Sequence, residues 1–292
     1  MGVLKFLVPA AVVAAGVGLW LTAPTRVDPD RYAGLTGDAA AGEKVFTAAG
    51  CASCHHAPTG EDKLVLTGGQ PFASDFGTFY APNISPSDQG LAGWDLVDFA
   101  NAVTRGVSPE GQHYYPAFPY TAYAKMQTQD VADLFAYMQT LPASDTPSQA
   151  HDVGFPFNIR RSLGGWKLLF FTGDYVLPAS PEAGGERGRY LVEALAHCAE
   201  CHTPRNALGG LDTTRWMGGA PNPSGQGTIP ALTPDKLTWS AEDVAYYLES
   251  GFTPDYDSVG GHMAEVVDKF SKLSAEDRMA VAQYVKALPA LD

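Results

Sequence analysis

The sequence predicts a mostly α-helical protein, built from two tandem domains with long loops and preceded by an N-terminal apolar helix. Three observations support this fold class. The pentapeptide Cys-x-x-Cys-His occurs twice, at residues 51–55 and 198–202. The segments around the two copies repeat in the same order, which indicates a tandem duplication. Apolar residues recur at helical spacing in both copies, and no segment alternates convincingly as a strand.

The two pentapeptides contain every cysteine of the chain. In such a motif the two thiols bond to the vinyl groups of one porphyrin, and the histidine that follows is the proximal iron ligand. A single Cys-x-x-Cys is also typical of a redox disulfide or of half a zinc site. The histidine at both copies favours haem, so the chain is predicted to bind two covalent haems c in two class I-like cytochrome c domains. The predicted haem-binding residues are Cys51, Cys54, Cys198 and Cys201, and the predicted proximal iron ligands are His55 and His202.

Length and charge restrict the partners. A chain of 292 residues can form two domains, each large enough to enclose a haem. With 32 acidic and 19 basic residues its net charge is −13, which argues against nucleic acid and anionic membrane surfaces as partners. The charge fits attraction to a basic redox protein, and it fits a merely soluble acidic surface equally well.

The N-terminus, residues 1–24, is predicted to be an export signal or a membrane anchor. An apolar run from Phe6 to Leu21 follows Lys5, and Pro24 would hinder cleavage after Ala23. We therefore favour an uncleaved anchor. Either alternative places the rest of the chain on the periplasmic side of the bacterial inner membrane, where c-type haem is attached.

The repeat defines the domain boundaries. The predicted domains are residues 25–145 and 186–292, joined by a linker at residues 146–185. In each copy an alanine-rich helix leads into the haem motif, a second helix begins near Asp95 or Ser240, and an amphipathic helix ends before Pro142 or Pro289. The linker includes an aromatic stretch around Gly165-Trp166-Lys167, which either packs between the domains or forms a docking strip for a partner subunit.

The distal ligand decides whether an iron transfers electrons or binds oxygen species, because a methionine thioether closes the site and raises the potential. In the second copy Met263 precedes the last helix, where a distal ligand is expected. His262 is an alternative that would give a bis-histidine haem.

The first copy leaves more alternatives. Met126 is the first choice, because it is the only methionine between the motif and the closing helix. At the 147-residue spacing of the two motifs, Met126 falls opposite Leu273, and Met263 falls opposite Pro116. His113 is the second choice, and an open iron site is the third.

Several segments resemble the c-type cytochrome subunits of membrane-associated bacterial alcohol, gluconate and aldehyde dehydrogenases. They are residues 81–86 with Trp94, residues 115–120, the linker residues 155–157 and 165–167, and residues 263–267. The resemblance implies a diheme protein without substrate chemistry of its own, which passes electrons from a dehydrogenase towards quinone, another cytochrome or an oxidase. Some members of that family have a methionine where Phe118 stands here.

The leading hypothesis is therefore a membrane-anchored electron-transfer subunit of a dehydrogenase or respiratory complex. One alternative is a diheme peroxidase, which needs one iron with an open distal face. Another is a free-standing electron shuttle without a membrane anchor.

Overall fold

The fold was analysed in a computed structural model, which describes residues 4–223 and 227–291. Helix α1 precedes the first copy and spans Leu4–Leu21. The first copy contains helices α2 (Ala39–Ala49), α3 (Cys51–His55), α4 (Leu96–Arg105), α5 (Tyr120–Tyr123) and α6 (Thr128–Met138), and strands β1 (Pro71–Ser74) and β2 (Gly77–Tyr80). The linker contributes strand β3 (Asp152–Val153) and helix α7 (Leu163–Phe170).

The second copy repeats this order. It contains helix α8 (Gly185–Tyr190), a π-helical turn (Leu191–Leu195), α9 (Ala199–His202), strands β4 (Ala220–Pro221) and β5 (Thr228–Ile229), α10 (Ala241–Ser250), α11 (Met263–Phe270) and α12 (Ala275–Lys286). The mostly helical prediction is confirmed. The expectation of no strands is wrong in detail, because β1, β2 and β3 form a small antiparallel sheet and β4 pairs with β5.

Local sequence signals explain where the second helix of each copy begins and ends. Asp95 caps α4 through its side chain, and Ser240 forms a capping box with Asp243 at the start of α10, as predicted. Both helices end at a glycine with left-handed backbone, Gly106 and Gly251, a conformation that costs glycine little.

Two glycines set how closely the first and last helices of each copy approach. A Cβ on Gly42 of α2 would lie 1.9 Å from the Asp133 carbonyl oxygen of α6, and a Cβ on Gly188 of α8 would lie 2.4 Å from the Ala280 carbonyl oxygen of α12. Asp133 and Ala280 are 147 residues apart, whereas the two glycines are 146 apart. The π-helical turn therefore accommodates one extra residue before the second motif.

The two copies and the linker share one packed interior. A single cluster of buried apolar residues includes Phe46 and Leu134 of the first copy and Leu191 and Tyr284 of the second. Across the copies, Lys63 and Glu265 form an ion pair at 2.8 Å. The predicted boundaries of the two domains stay predictions.

A buried carboxylate ties the end of the linker to the second copy. Glu193 is 1% exposed, and its carboxylate accepts hydrogen bonds from the backbone N–H groups of Val176 and Leu177 and from the Tyr284 hydroxyl at 2.8 Å. At the equivalent position of the first copy, Phe46 packs against Tyr137 instead. The second copy thus has a hydrogen-bonded anchor for the linker where the first copy has an aromatic contact.

The linker also contacts the end of α1. Arg161 donates to the Leu19 carbonyl oxygen, and Gly164 lies against the backbone of Thr22. Leu168 and Leu169 of α7 are exposed, whereas the Trp166 indole packs and donates to the Leu208 carbonyl oxygen at 2.9 Å. In residues 4–223 and 227–291, no helix has both the length and the apolar character that crossing a membrane requires.

Substituting the close-contact glycines should loosen each copy. We expect Gly42→Ala and Gly188→Ala to destabilise the protein by about 1–3 kcal/mol each, because the added methyl group has no room beside the backbone of the facing helix. Urea unfolding of the haem-loaded protein measures this. Gly165→Ala in α7 is the control: its Cβ meets no atom within 4 Å, so unchanged or slightly higher stability is expected. Equal effects at all three positions would refute the packing account.

Removing the linker anchor should also be costly. We expect Glu193→Ala to lower the free energy of unfolding by about 2–3 kcal/mol, because two backbone N–H groups and the Tyr284 hydroxyl lose their acceptor. Glu186→Ala, at an exposed position of α8, should change it by less than about 0.5 kcal/mol. Thermal unfolding followed by circular dichroism distinguishes the two variants, and a neutral Glu193→Ala would contradict the assigned role.

Candidate haem sites

Each Cys-x-x-Cys-His motif forms one short helical turn directly after the first helix of its copy. The motif of the first copy is α3, entered through Gly50 with φ +66°, and the motif of the second copy includes α9, entered through His197 with φ +42°. A helical turn places both cysteines and the histidine on neighbouring faces, as attachment to one porphyrin requires.

The two predicted proximal histidines make the same hydrogen bond. His55 Nδ1 lies 2.8 Å from the Pro82 carbonyl oxygen, and His202 Nδ1 lies 2.8 Å from the Pro230 carbonyl oxygen. A carbonyl oxygen only accepts, so Nδ1 carries the proton and Nε2 of a neutral ring presents a lone pair for iron. Burial lowers the pKa of both imidazoles, which favours this neutral form. Both histidines therefore have the orientation and tautomer of a proximal ligand.

A returning loop holds each proline carbonyl in place. The Gly68 N–H donates to the His55 carbonyl oxygen at 2.7 Å, and the Gly219 N–H donates to the His202 carbonyl oxygen at 2.8 Å. Each loop passes through a short strand pair before it reaches the proline. The proline carbonyls were not predicted as site elements, although the match between residues 81–86 and 229–234 was the available signal.

None of the four predicted haem-binding cysteines forms a disulfide. Burial raises the pKa of Cys51 and of Cys198 to about 12. Within the described ranges, no group of three or more His, Cys, Asp or Glu side chains is placed to hold a metal ion. The arrangement suits a cofactor that brings its own iron, and it does not form the four-ligand set of a structural zinc site.

In the second copy the predicted distal ligand begins a helix. Met263 is the first residue of α11 and is half-buried against the core, whereas the alternative ligand His262 is exposed. A thioether at this position faces the interior of its own copy, so the geometry fits Met263 better than His262.

In the first copy, Phe118 occupies the position equivalent to Met263. The loops after α4 and α10 form the same isolated bridge, between Val107 and His113 in one copy and between Phe252 and Ser258 in the other. Equivalent residues of the two loops are 145 positions apart in the sequence, whereas the two motifs are 147 apart. At the spacing of 145, Phe118 lies opposite Met263. The fixed-spacing alignment that set Met263 opposite Pro116 is corrected here, because two residues are missing between this loop and α6.

The other candidates of the first copy lie elsewhere. Met126 is buried in the core, in the turn before α6, where its N–H donates to the Tyr123 carbonyl oxygen at 2.9 Å. It corresponds to Leu273, which makes the same turn before α12. His113 is buried beside the end of α1, with Nε2 3.1 Å from the Thr22 carbonyl oxygen. Met126 therefore stays a prediction as the first distal ligand.

The chain is similar to known cytochromes c. Residues 39–142 match the family model described as Cytochrome c. The chain is 56% identical over 284 residues to a diheme cytochrome c-type protein of Cereibacter sphaeroides, with 96% of both chains covered.

Two further relatives are subunits of dehydrogenases. The chain is 36% identical to the fructose dehydrogenase cytochrome subunit of Gluconobacter japonicus, over 85% of this chain and 52% of the relative. It is 32% identical to the cytochrome c subunit of the quinone alcohol dehydrogenase of Gluconobacter oxydans, over 86% of this chain and 54% of the relative. The chain thus spans about half the length of these two subunits. Cytochrome subunits are electron-transfer components rather than catalytic enzymes.

The paired motifs, their matching histidine geometry and the similarity over almost the whole chain agree with the resemblance predicted from the sequence. The chain belongs to the cytochrome c family, among the diheme c-type cytochromes.

Proposed function

We propose that this protein is a membrane-anchored diheme cytochrome c on the periplasmic side of the bacterial inner membrane. It receives electrons from a dehydrogenase or respiratory complex and passes them to another cytochrome or to an oxidase. The observation that carries the proposal is the hydrogen bond from Nδ1 to a proline carbonyl oxygen, which occurs at both His55 and His202.

Haem c, when bound, supplies an iron that accepts and releases one electron by changing between the ferric and ferrous states. Cys51 and Cys54 would hold the first haem, and Cys198 and Cys201 would hold the second. His55 and His202 would each bind one iron. Met263 would be the second protein ligand of the second iron and Met126 that of the first, and an iron with two protein ligands would transfer electrons without binding oxygen species.

A dehydrogenase partner is supported by the named relatives, whose cytochrome subunits belong to dehydrogenases. An exposed apolar surface of the linker supplies a contact area for such a partner. Phe155 is 82% exposed, and Leu168 and Leu169 of α7 are 61% and 66% exposed. Neighbouring exposed apolar side chains such as Leu168 and Leu169 are typical of interaction surfaces.

The N-terminal segment supports attachment to the membrane. Helix α1 has 18 residues and includes the whole apolar run from Phe6 to Leu21, and its end contacts the linker through Arg161. We propose that α1 anchors the protein and that the linker surface lies close to the anchored end. A free-standing shuttle would instead have lost this segment during export.

A specific observation favours a second candidate function. Phe118 occupies the position of the methionine that faces the second haem, and a phenylalanine side chain cannot bind iron. If Met126 does not reach the first iron, that iron has an open distal face, as a diheme peroxidase requires.

Two methionine variants decide between the candidates. Met263→Leu should remove the far-red iron–thioether absorption band of the second haem, because leucine has no sulfur to bind iron. Met126→Leu should remove the corresponding band of the first haem. Absorption spectra of the oxidised, fully loaded protein measure both bands.

Met138→Leu is the matched control, since Met138 is a buried methionine of α6 and should leave both bands intact. Loss of one band in Met126→Leu supports the electron-transfer proposal. An unchanged spectrum in that variant, together with peroxide turnover by the wild-type protein, supports the peroxidase instead.

The function itself is tested in membranes of the organism that encodes the protein. We expect addition of an alcohol, gluconate or fructose to reduce the haems of the wild-type protein within its complex. A strain that carries His202→Ala should show partial reduction or none, because the second iron has lost its proximal ligand. Absence of reduction by any of these substrates, in membranes where the corresponding dehydrogenases are active, would contradict the proposed partner.

A further inference from the structure

The segments that lead into the two haem motifs lie close together at an interface between the copies. Helix α2, which ends two residues before Cys51, contacts the π-helical turn that ends three residues before Cys198. The ion pair between Lys63 and Glu265 closes the same interface from the solvent side.

Tyr123 of α5 lies between the motifs. It is 7% exposed, and its hydroxyl donates to the Ala49 carbonyl oxygen at 3.1 Å. Ala49 is the last residue of α2 and stands two positions before Cys51. Tyr123 therefore belongs to the first copy, and its hydroxyl is hydrogen-bonded to the segment that leads into the first motif.

The Tyr123 ring also contacts the residue that precedes the second motif. The His197 imidazole meets the Tyr123 ring edge-on, with the ring centroids 5.6 Å apart. His197 directly precedes Cys198. A continuous set of contacts thus runs from Ala49 through Tyr123 and His197 to the backbone of Cys198.

The backbone conformation at position 197 is unusual for a residue other than glycine. His197 has φ +42°, a left-handed conformation that costs a non-glycine residue free energy and is found most often at functional sites. In the first copy the equivalent position, 147 residues earlier, is Gly50 with φ +66°. Glycine adopts this left-handed conformation in the first copy without strain. The second copy has a side chain at this position and a strained backbone.

The distal side of the first copy adds a further contact. Phe118, the residue opposite Met263, lies edge-on to Tyr123 with the ring centroids 5.9 Å apart. Three aromatic rings, those of Phe118, Tyr123 and His197, therefore lie in sequence from the position equivalent to Met263 to the entrance of the second motif.

We propose that Tyr123 and His197 form the contact through which an electron passes between the two haems. This inference rests on the proposed function, because it requires both haems to be bound. One ferrous iron is oxidised and the other, ferric, iron is reduced by the same electron. No covalent bond changes, and neither Tyr123 nor His197 is itself oxidised.

Two substitutions test the contact in the full-length, haem-loaded protein. Tyr123→Phe keeps the ring and removes only the hydrogen bond to Ala49. His197→Gly restores the residue used in the first copy and removes the ring contact. Laser-flash photoreduction delivers one electron per molecule, and absorbance in the Soret region follows its redistribution between the haems.

We expect each variant to lower the concentration-independent redistribution rate several-fold, while two haems per chain, cooperative unfolding and the iron–thioether bands are retained. Tyr256→Gly is the matched control for His197→Gly, because Tyr256 has φ +62° and is 89% exposed. Tyr246→Phe is the control for Tyr123→Phe, because it removes a hydroxyl at an exposed position. Both controls should exchange electrons at the wild-type rate.

A folded, fully loaded Tyr123→Phe variant that exchanges at the wild-type rate would overturn the inference, even if His197→Gly failed to fold. That result would leave the proposed function intact, since both haems would still be reduced. Failure of the wild-type protein to take up electrons at two haems would instead contradict the proposed function.

Discussion

Both candidate haem sites depend on one hydrogen bond in each copy, from the imidazole Nδ1 to a proline carbonyl oxygen. This bond determines the tautomer and the orientation of the ring, and so decides which nitrogen is available to iron. The loops, the short strand pairs and the glycine N–H groups of Gly68 and Gly219 serve to hold that carbonyl at the correct distance. The close packing of the first and last helices of each copy, at Gly42 and Gly188, keeps the motif helix and its loop together.

The two copies have the same arrangement on the proximal side and differ elsewhere. Both copies share the motif helix, the proline carbonyl and the capped second helix. The second copy has a π-helical turn before its motif, a buried Glu193 in place of Phe46 and a strained His197 in place of Gly50. The first copy has Phe118 where the second has Met263. These differences lie on the linker side and at the interface between the copies.

Much of this could be predicted from the sequence, because the strongest signals were local. Two Cys-x-x-Cys-His motifs indicated a c-type cytochrome, and the caps at Asp95 and Ser240 indicated where helices begin. The distal side of the first copy was harder, since the position of Phe118 depends on a two-residue difference that a fixed spacing of 147 residues hides. The short strands escaped prediction because two to four residues are too few for a periodic pattern. The role of Tyr123 and the partners of Glu193 depend on contacts between residues far apart in the chain, which periodicity does not report.

The central claim is that two histidines of equal geometry each serve one covalently attached haem. Intact mass spectrometry of the protein exported to the periplasm tests it most directly, with Cys54→Ala and Cys201→Ala variants measured alongside. For the wild-type protein, the account predicts the mass of the polypeptide plus two haems. In each variant, the haem of the changed motif stays attached through its single remaining thioether bond. Conditions that cleave this one bond should release that haem and leave the other in place. A wild-type mass that corresponds to one haem or none would contradict it.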